Sequence, residues 1–170
     1  MLRKRIIPII QLKDDELVKS IKFKNHKYVG DPLNVVKIFN EIKVDEIIIL
    51  DVFKSKQNED INFKIIKDLA DECKMPFTYG GGIKNFKQVE KLFSIGVEKI
   101  SLNTSILDDY NFIKDLSKLY GSQSILVSID IKKNLFGKRK LIKWSNNKSL
   151  NINFQDHINK CIDNPFLLSP

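Results

Sequence analysis

The 170-residue chain is poor in the residues that build scaffolds by cross-link or metal: two cysteines, two histidines and one tryptophan. Cys73 and Cys161 are too few and too far apart for a disulfide framework or a zinc knuckle. His26 and His157 have no partners at ligand spacing, so both are read as non-catalytic and no metal is expected. No apolar run approaches the ~20 residues that cross a bilayer. The basic start, Met1 to Pro8, leads into an apolar run of only Ile6 to Ile10 with Pro8 inside it, too short for a signal core. A cytoplasmic protein without a membrane partner is expected. The first long loop, Lys13 to Gly30, has no Gly-x-Gly, and nothing else calls for a cofactor.

The charge is one-sided: 29 Lys and Arg against 21 Asp and Glu, a formal net charge of +8. A basic surface attracts nucleic acid, anionic lipid or phosphorylated small molecules. The aromatics do not interleave with the basic residues as stacking platforms, so nucleic acid is not expected. A phosphorylated small molecule is.

The organisation is strand, loop, helix, repeated. Strands are expected over Arg5–Leu12, Glu46–Asp51, Met75–Tyr79, Lys99–Leu102 and Ser124–Ile131. Their β-branched runs do not alternate cleanly, as suits parallel strands covered on both faces. The first helix opens at Asp31-Pro32, a capping acid with proline at the first helical position. The second runs from about Asp60 to Cys73. Asn85 with Gln88 signals the third, which Gly96 stops, and the fourth covers roughly Asp109 to Tyr120 before Gly121. Four strand–helix units and a fifth strand define an α/β chain. Periodicity alone leaves a closed barrel and an open doubly wound sheet in play. An open sheet more often carries its glycine-rich loop after the first strand, whereas here the glycines follow the third. Beyond it, Lys133–Phe136 and Lys140–Trp144 predict a hairpin around Gly137, and Phe154–Ile162 a fifth helix in an atypical tail.

The strongest chemical signal is Gly80-Gly81-Gly82, straight after the third strand and ahead of a capped helix. Tight turning, backbone N–H groups and a nearby helix start together suit a phosphate; the alternative is a plain turn. Asn103 and Thr104 end the fourth strand, where they can meet a phosphate or cap a helix. Asp51 and Asp130 close the second and fifth strands, positions that in a barrel serve as acid, base or hydroxyl-binding groups, or merely cap loops. Gln11 holds the corresponding place on the first strand, and a glutamine cannot relay a proton as a carboxylate does. Among the lysines of the first loop, Lys19 is the first candidate for a phosphate. Arg5, Glu46 and Lys99 lie at strand starts and read as an ion-pair layer near the amino-terminal mouth.

These segments, taken together, resemble the cyclase subunit of imidazole glycerol phosphate synthase. The resemblance rests on Lys4-Arg5-Ile6-Ile7-Pro8, Gly30-Asp31-Pro32, Leu50-Asp51, Pro76-Phe77-Thr78-Tyr79-Gly80-Gly81-Gly82-Ile83, Gly96 to Thr104 and Ser128-Ile129-Asp130, collinear over residues 1 to about 145. It implies a (β/α)₈ barrel of the TIM type with its active site on the carboxyl-end rim. It also implies a lyase reaction that cyclises a phosphorylated aminoimidazole ribonucleotide precursor with ammonia from a glutaminase subunit docked at the opposite mouth. On this resemblance Gly82, Asn103 and Thr104 bind one phosphate, Lys19 and Asp51 lie near substrate, and Asp130 is catalytic. Arg5, Glu46 and Lys99 match three members of an ammonia gate.

Two departures bear on activity. Gln11 stands where the family has a second catalytic aspartate, and loss of a general acid–base group costs about 10²–10⁴-fold in rate. That substitution resembles a paralogous branch associated with glycan amidation, whose members help a glutaminase deliver ammonia without cyclising. The second departure is length: four units and a fifth strand, over a single partial-barrel domain spanning 1–170, leave out the strands that would carry the second phosphate site. Open first and last edges predict association between copies, and a shortened, inactive product is a further expectation.

Overall fold

The computed structural model describes residues 3–21, 24–54, 59–133, 139–143, 148–150 and 152–162. It divides into two compact units, Met1–Ile100 and Ser101–Pro170.

In the first unit, β1 (Ile9–Lys13), β4 (Ile47–Asp51) and β5 (Phe77–Gly80) run parallel, and β6 (Lys99–Leu102) begins beside β5. On the other side of β1 lie β2 (Glu16–Ile21) and β3 (Lys24–Gly30), both antiparallel. The segment read as a loop, Lys13 to Gly30, is therefore a hairpin. Asp14 and Asp15, both at positive φ (53° and 63°), make the two-residue turn from β1 into β2, which matches the right-handed twist of the flanking strands. Register shifts at Leu17/Val18 and Lys19/Ile21 break the alternation that would have announced these strands. The first strand also starts later than Arg5. Pro8 has no N–H to give to a ladder, but its carbonyl accepts from Ile48 N at 3.0 Å.

The helices start where side chains cap them. Asp31 accepts from Asn34 N ahead of α1 (Pro32–Glu41), with proline in the first turn. Asn62 accepts from Lys64 N and delays α2 to Phe63–Glu72, three residues after the expected start. Asn85 accepts from Gln88 N at 3.0 Å ahead of α3 (Phe86–Ser94), while Gln88 Oε1 accepts from Lys84 N. Val36, Ile66, Leu69, Val89 and Leu92 are buried on these helices.

Pairing in register gives the sheet two different faces. Ile10 opposite Ile49, Ile49 opposite Tyr79, Ile47 opposite Phe77 and Leu12 opposite Asp51 line one face, and all are buried. Gln11 opposite Leu50, and Ile48 opposite Thr78, line the other. Ile9, on that second face, is 59% exposed. Burying each of the aliphatic side chains on the first face contributes about 1.5–3 kcal/mol.

In the second unit the end of β6 leads through α4 (Thr104–Asp108) to α5 (Tyr110–Tyr120). Asp109 ends the one helix and caps the other through Asn111 N at 2.8 Å. The fifth expected strand divides. β7 (Ile125–Val127) lies beside β6, then residues 128–130 leave the strand conformation, and β8 (Ile131–Lys133) joins β9 (Arg139–Lys143) antiparallel. Bonds from Ser128 N to Leu102 O and from Ile142 N to Asp130 O hold the departing chain. A short β10 (Lys148–Ser149) completes a three-stranded sheet, and α6 (Phe154–Ile162) follows as expected. The hairpin is present with strands beginning at Ile131 and Arg139; Phe136, Gly137 and Trp144 lie outside the described residues.

Candidate functional site

At the amino-terminal ends of the strands, Glu46 precedes β4 and is 7% exposed. One of its oxygens pairs with Arg5 Nη1 and the other with Lys99 Nζ at 2.8 Å. The three residues expected to form an ion-pair layer thus converge, with both carboxylate oxygens occupied. Asp45 secures the neighbouring entry by accepting from Ile6 N at 2.7 Å while its own N–H donates to Ile6 O.

At the carboxyl-terminal ends the glycine turn follows β5. Gly81 and Gly82 have φ of 127° and 66°, conformations that side chains rarely adopt. A Cβ on Gly81 would overlap the Asp51 carbonyl oxygen, and one on Gly82 would fall 2.9 Å from Lys54 Cβ. Close packing against the end of β4 therefore accounts for both glycines. Asp51 itself lies on the helix-facing side of the sheet with Leu12 and Tyr79, opposite to Gln11 and Leu50. Its Oδ1 accepts from Phe53 N and Lys54 N, each at 3.3 Å. Burial lifts its pKa from the ordinary carboxylate range to about 6, against the pull of those two amides and the Lys54 ammonium. Gln11 Oε1 accepts from the Ser20 hydroxyl at 3.1 Å. Lys19 is exposed on β2, with Lys27 directly opposite it on β3.

The second unit carries a two-step polar ladder. Ser101 Oγ meets Ser128 Oγ at 2.7 Å, and one step on Asn103 Nδ2 donates to Asp130 Oδ2 at 2.8 Å. Asn103 stands at the N-cap of α4, yet its side chain makes no cap bond; its Nδ2 donates to Asp130. Burial raises the Asp130 pKa, and the Asn103 bond pulls it back. Thr104 is the first residue of α4 and half-buried.

Other groups escaped the sequence reading. Asp15 Oδ1 and the Tyr79 hydroxyl are buried without a hydrogen-bond partner. Lys54, 8% exposed, pairs with Glu59 at 3.1 Å. A tyrosine flanked by apolar strand residues reads as core, and only its stranded hydroxyl marks it. His26, read as non-catalytic, meets the Phe53 ring edge-on at 4.7 Å, with Lys13 Nζ 5.1 Å from the same ring. Among the described residues no group of three or more His, Cys, Asp or Glu is arranged to hold a metal ion. No described helix is long and apolar enough to cross a membrane.

Parallel strands alternating with capped helices, and polar residues gathered at the strand ends, define a partial (β/α) barrel of the TIM type. The family model described as "Histidine biosynthesis protein" matches residues 5–163. The chain is 50% identical over 137 residues to a Pseudomonas aeruginosa protein with the provisional name imidazole glycerol phosphate synthase subunit hisF2, covering 81% of this chain and 55% of that one. It is 47% identical over 133 residues to a Campylobacter jejuni protein of the same provisional name, covering 78% and 53%. To the Exiguobacterium sibiricum imidazole glycerol phosphate synthase subunit HisF it is 40% identical over 133 residues, again covering 78% and 53%. The chain belongs to the histidine biosynthesis protein family, in its imidazole glycerol phosphate synthase cyclase-subunit (HisF) group. It spans about half the length of the curated relatives it matches.

Proposed function

We propose that the chain serves the ammonia-dependent cyclisation of a phosphorylated aminoimidazole ribonucleotide precursor, in the cytoplasm and with a glutaminase subunit as its ammonia source. The observation that carries this reading is the Asn103–Asp130 bond of 2.8 Å. A half-buried carboxyl held in one orientation, with its pKa lifted by burial, is suited to serve as a general acid or base. The roles that accompany it follow the family resemblance. In the first unit Gly81 and Gly82 offer backbone N–H groups to a phosphate, Lys19 adds charge, and Asp51 stands near substrate; in the second unit the side chains of Asn103 and Thr104, with the adjacent N–H groups, are phosphate-binding. Arg5, Glu46 and Lys99 form the gate towards the glutaminase. Gln11 is no proton relay, so cyclisation runs about 10²–10⁴-fold below that of a site with two carboxylates. Turnover of the precursor by the full chain, with ammonium salt and with co-expressed glutaminase, tests this. Asp130→Asn should lower the rate by that factor and Gln11→Asp should raise it. No cyclisation by either the natural chain or Gln11→Asp overturns the reading.

Gln11 specifically favours a second reading, in which the chain binds and activates a glutaminase and passes ammonia to a sugar-amidating enzyme without cyclising. Its amide oxygen is already taken by Ser20. Glutaminase activation without cyclisation is the expected outcome; failure of the two proteins to associate removes it.

A further inference from the structure

In the first unit β2 and β3 follow the carboxyl-terminal end of β1, and β3 is the outermost strand on that side of the sheet. Among the described residues no strand lies beyond it, so part of its backbone N–H and C=O groups is open to another chain. The strand runs for seven residues, long enough to receive a partner strand. It also carries large apolar side chains in the open. Tyr28 is 63% exposed and Val29 57%, and Ile21 at the end of β2 is 54% exposed.

The two faces of this edge differ. On one, register sets Tyr28 opposite Val18, with His26 two residues away and its ring against Phe53 at 4.7 Å. The other is basic. Lys27 stands directly opposite Lys19, both are exposed, and neither joins an ion pair among the described residues. Like charges directly opposite each other destabilise a strand pair. From Leu17 to Gly30 the sequence holds four lysines and no acid to offset them.

Lysine on an edge strand discourages self-pairing. A second copy laid along β3 would bring its own lysines against these, so charge selects a different occupant. Discouraged self-pairing does not account for the exposed Tyr28 and Val29. Strand addition does, because a strand beside β3 meets side chains on both of its faces.

We propose that β3 is a docking edge for an extended segment of a partner protein, added as a further strand, with acidic residues on the Lys19/Lys27 face and apolar residues on the Tyr28 face. Backbone pairing supplies affinity, the lysines select the acidic partner, and Tyr28 anchors it. This edge lies at the carboxyl-terminal end of β1, whereas Glu46 and its two cations lie at the amino-terminal ends of the strands. It is therefore a different surface from the one proposed for the glutaminase.

The probe is a seven-residue peptide of alternating valine and glutamate, blocked at both ends. It is titrated into the full chain at low ionic strength and followed by backbone amide NMR. Shifts should concentrate on residues 24–30, and affinity should fall as salt is added. The same peptide with lysine for glutamate should not bind, nor should a form N-methylated on alternate peptide bonds, which cannot pair. Tyr28→Ser should weaken binding about tenfold. Lys27→Glu should lose the glutamate peptide and gain the lysine one, a reversal that damage to the fold would not produce. No shift over residues 24–30 at about 1 mM peptide, equal binding of the two charge forms, or undiminished binding of the N-methylated form overturns the proposal. Sedimentation showing a dimer of the full chain that Tyr28→Ser dissociates also overturns it, by making a second copy the occupant.

Discussion

Asn103 gives its side-chain amide to Asp130 across 27 residues of sequence instead of capping the helix it begins. A helix start without a side-chain cap gives up about 1 kcal/mol. That sacrifice makes sense if orienting Asp130 matters more. Asn103→Ala should therefore raise the Asp130 pKa further, since the bond opposes the effect of burial. Carboxyl-carbon NMR titration of the full chain reads the shift directly. Asn103→Asp should raise it as well, by putting a second negative charge beside the first.

Glu46 is the hub of its ion cluster, and its two partners differ in exposure. The Arg5 side chain is 59% exposed and that of Lys99 28%, against 9% for Glu46. Arg5→Ala should cost under about 1 kcal/mol, the usual worth of an exposed partner. Lys99→Ala should cost more, about 1–2 kcal/mol, because it strips the better-buried contact. Glu46→Ala should fall well short of the about 3–5 kcal/mol typical of breaking a fully buried pair, since both cations keep access to water. Urea denaturation of the single and double variants settles the order.

Gly81 and Gly96 separate two effects that glycine substitutions usually mix. Both have positive φ, 127° and 100°. A Cβ at Gly96 would meet only Ala70 Cβ, at 3.4 Å, so Gly96→Ala should lose about 1 kcal/mol for the backbone alone. At Gly81 the same Cβ overlaps the Asp51 backbone, so Gly81→Ala should lose at least about 2–3 kcal/mol and displace the rim. Equal losses at the two positions, measured by thermal unfolding, would show that the turn relaxes away from Asp51.

What was readable in the sequence was local. Asp31-Pro32 and the Asn85/Gln88 pair fixed helix starts because a cap acts within one turn. The run Ile47 to Asp51 read correctly as a buried strand. β2 and β3 did not show, since their register shifts destroy the period of two and the turn from β1 into β2 is Asp-Asp rather than a glycine-bearing pair. Motif resemblance named Asp51 and Asp130, but not the side of the sheet each faces. A strand apolar on both faces carries no alternation from which to read that. The Asn103–Asp130 and Tyr110–His157 pairings depend on how distant segments meet, which no short window contains.

Asp51 should make stability depend on pH. Its folded pKa, about 6, lies above the ordinary value near 3.9. The folded chain therefore holds this proton more tightly than the unfolded one. The resulting stabilisation is full below about pH 4 and is lost as pH rises through 6, up to about 3 kcal/mol. Asp51→Asn keeps an oxygen for Phe53 N and Lys54 N but cannot ionise. It should flatten stability between pH 4 and 7 and leave the variant the more stable form at pH 8. Parallel denaturation curves for the two chains across that range would refute this.

His157 carries the opposite sign. It is 2% exposed on α6, and its Nδ1 lies 2.6 Å from the Tyr110 hydroxyl of α5. Burial, aided by the nearby Lys160 ammonium, lowers its pKa, so the ring stays neutral and Nδ1 can accept the phenol hydrogen. An imidazole with a depressed folded pKa stabilises fully above the ordinary value of about 6.5. That contribution is lost as pH falls through 6.5 towards the folded value, because the unfolded chain then binds the extra proton. Protonation would also convert Nδ1 from acceptor to donor and remove the Tyr110 bond as drawn. The helix should therefore loosen first, and hydrogen exchange over residues 154–162 should accelerate between pH 7 and 5, after correction for intrinsic rates, before α5 is affected. Tyr110→Phe should lose about 1 kcal/mol at pH 7 by stranding Nδ1, while His157→Gln should abolish the acid-induced opening.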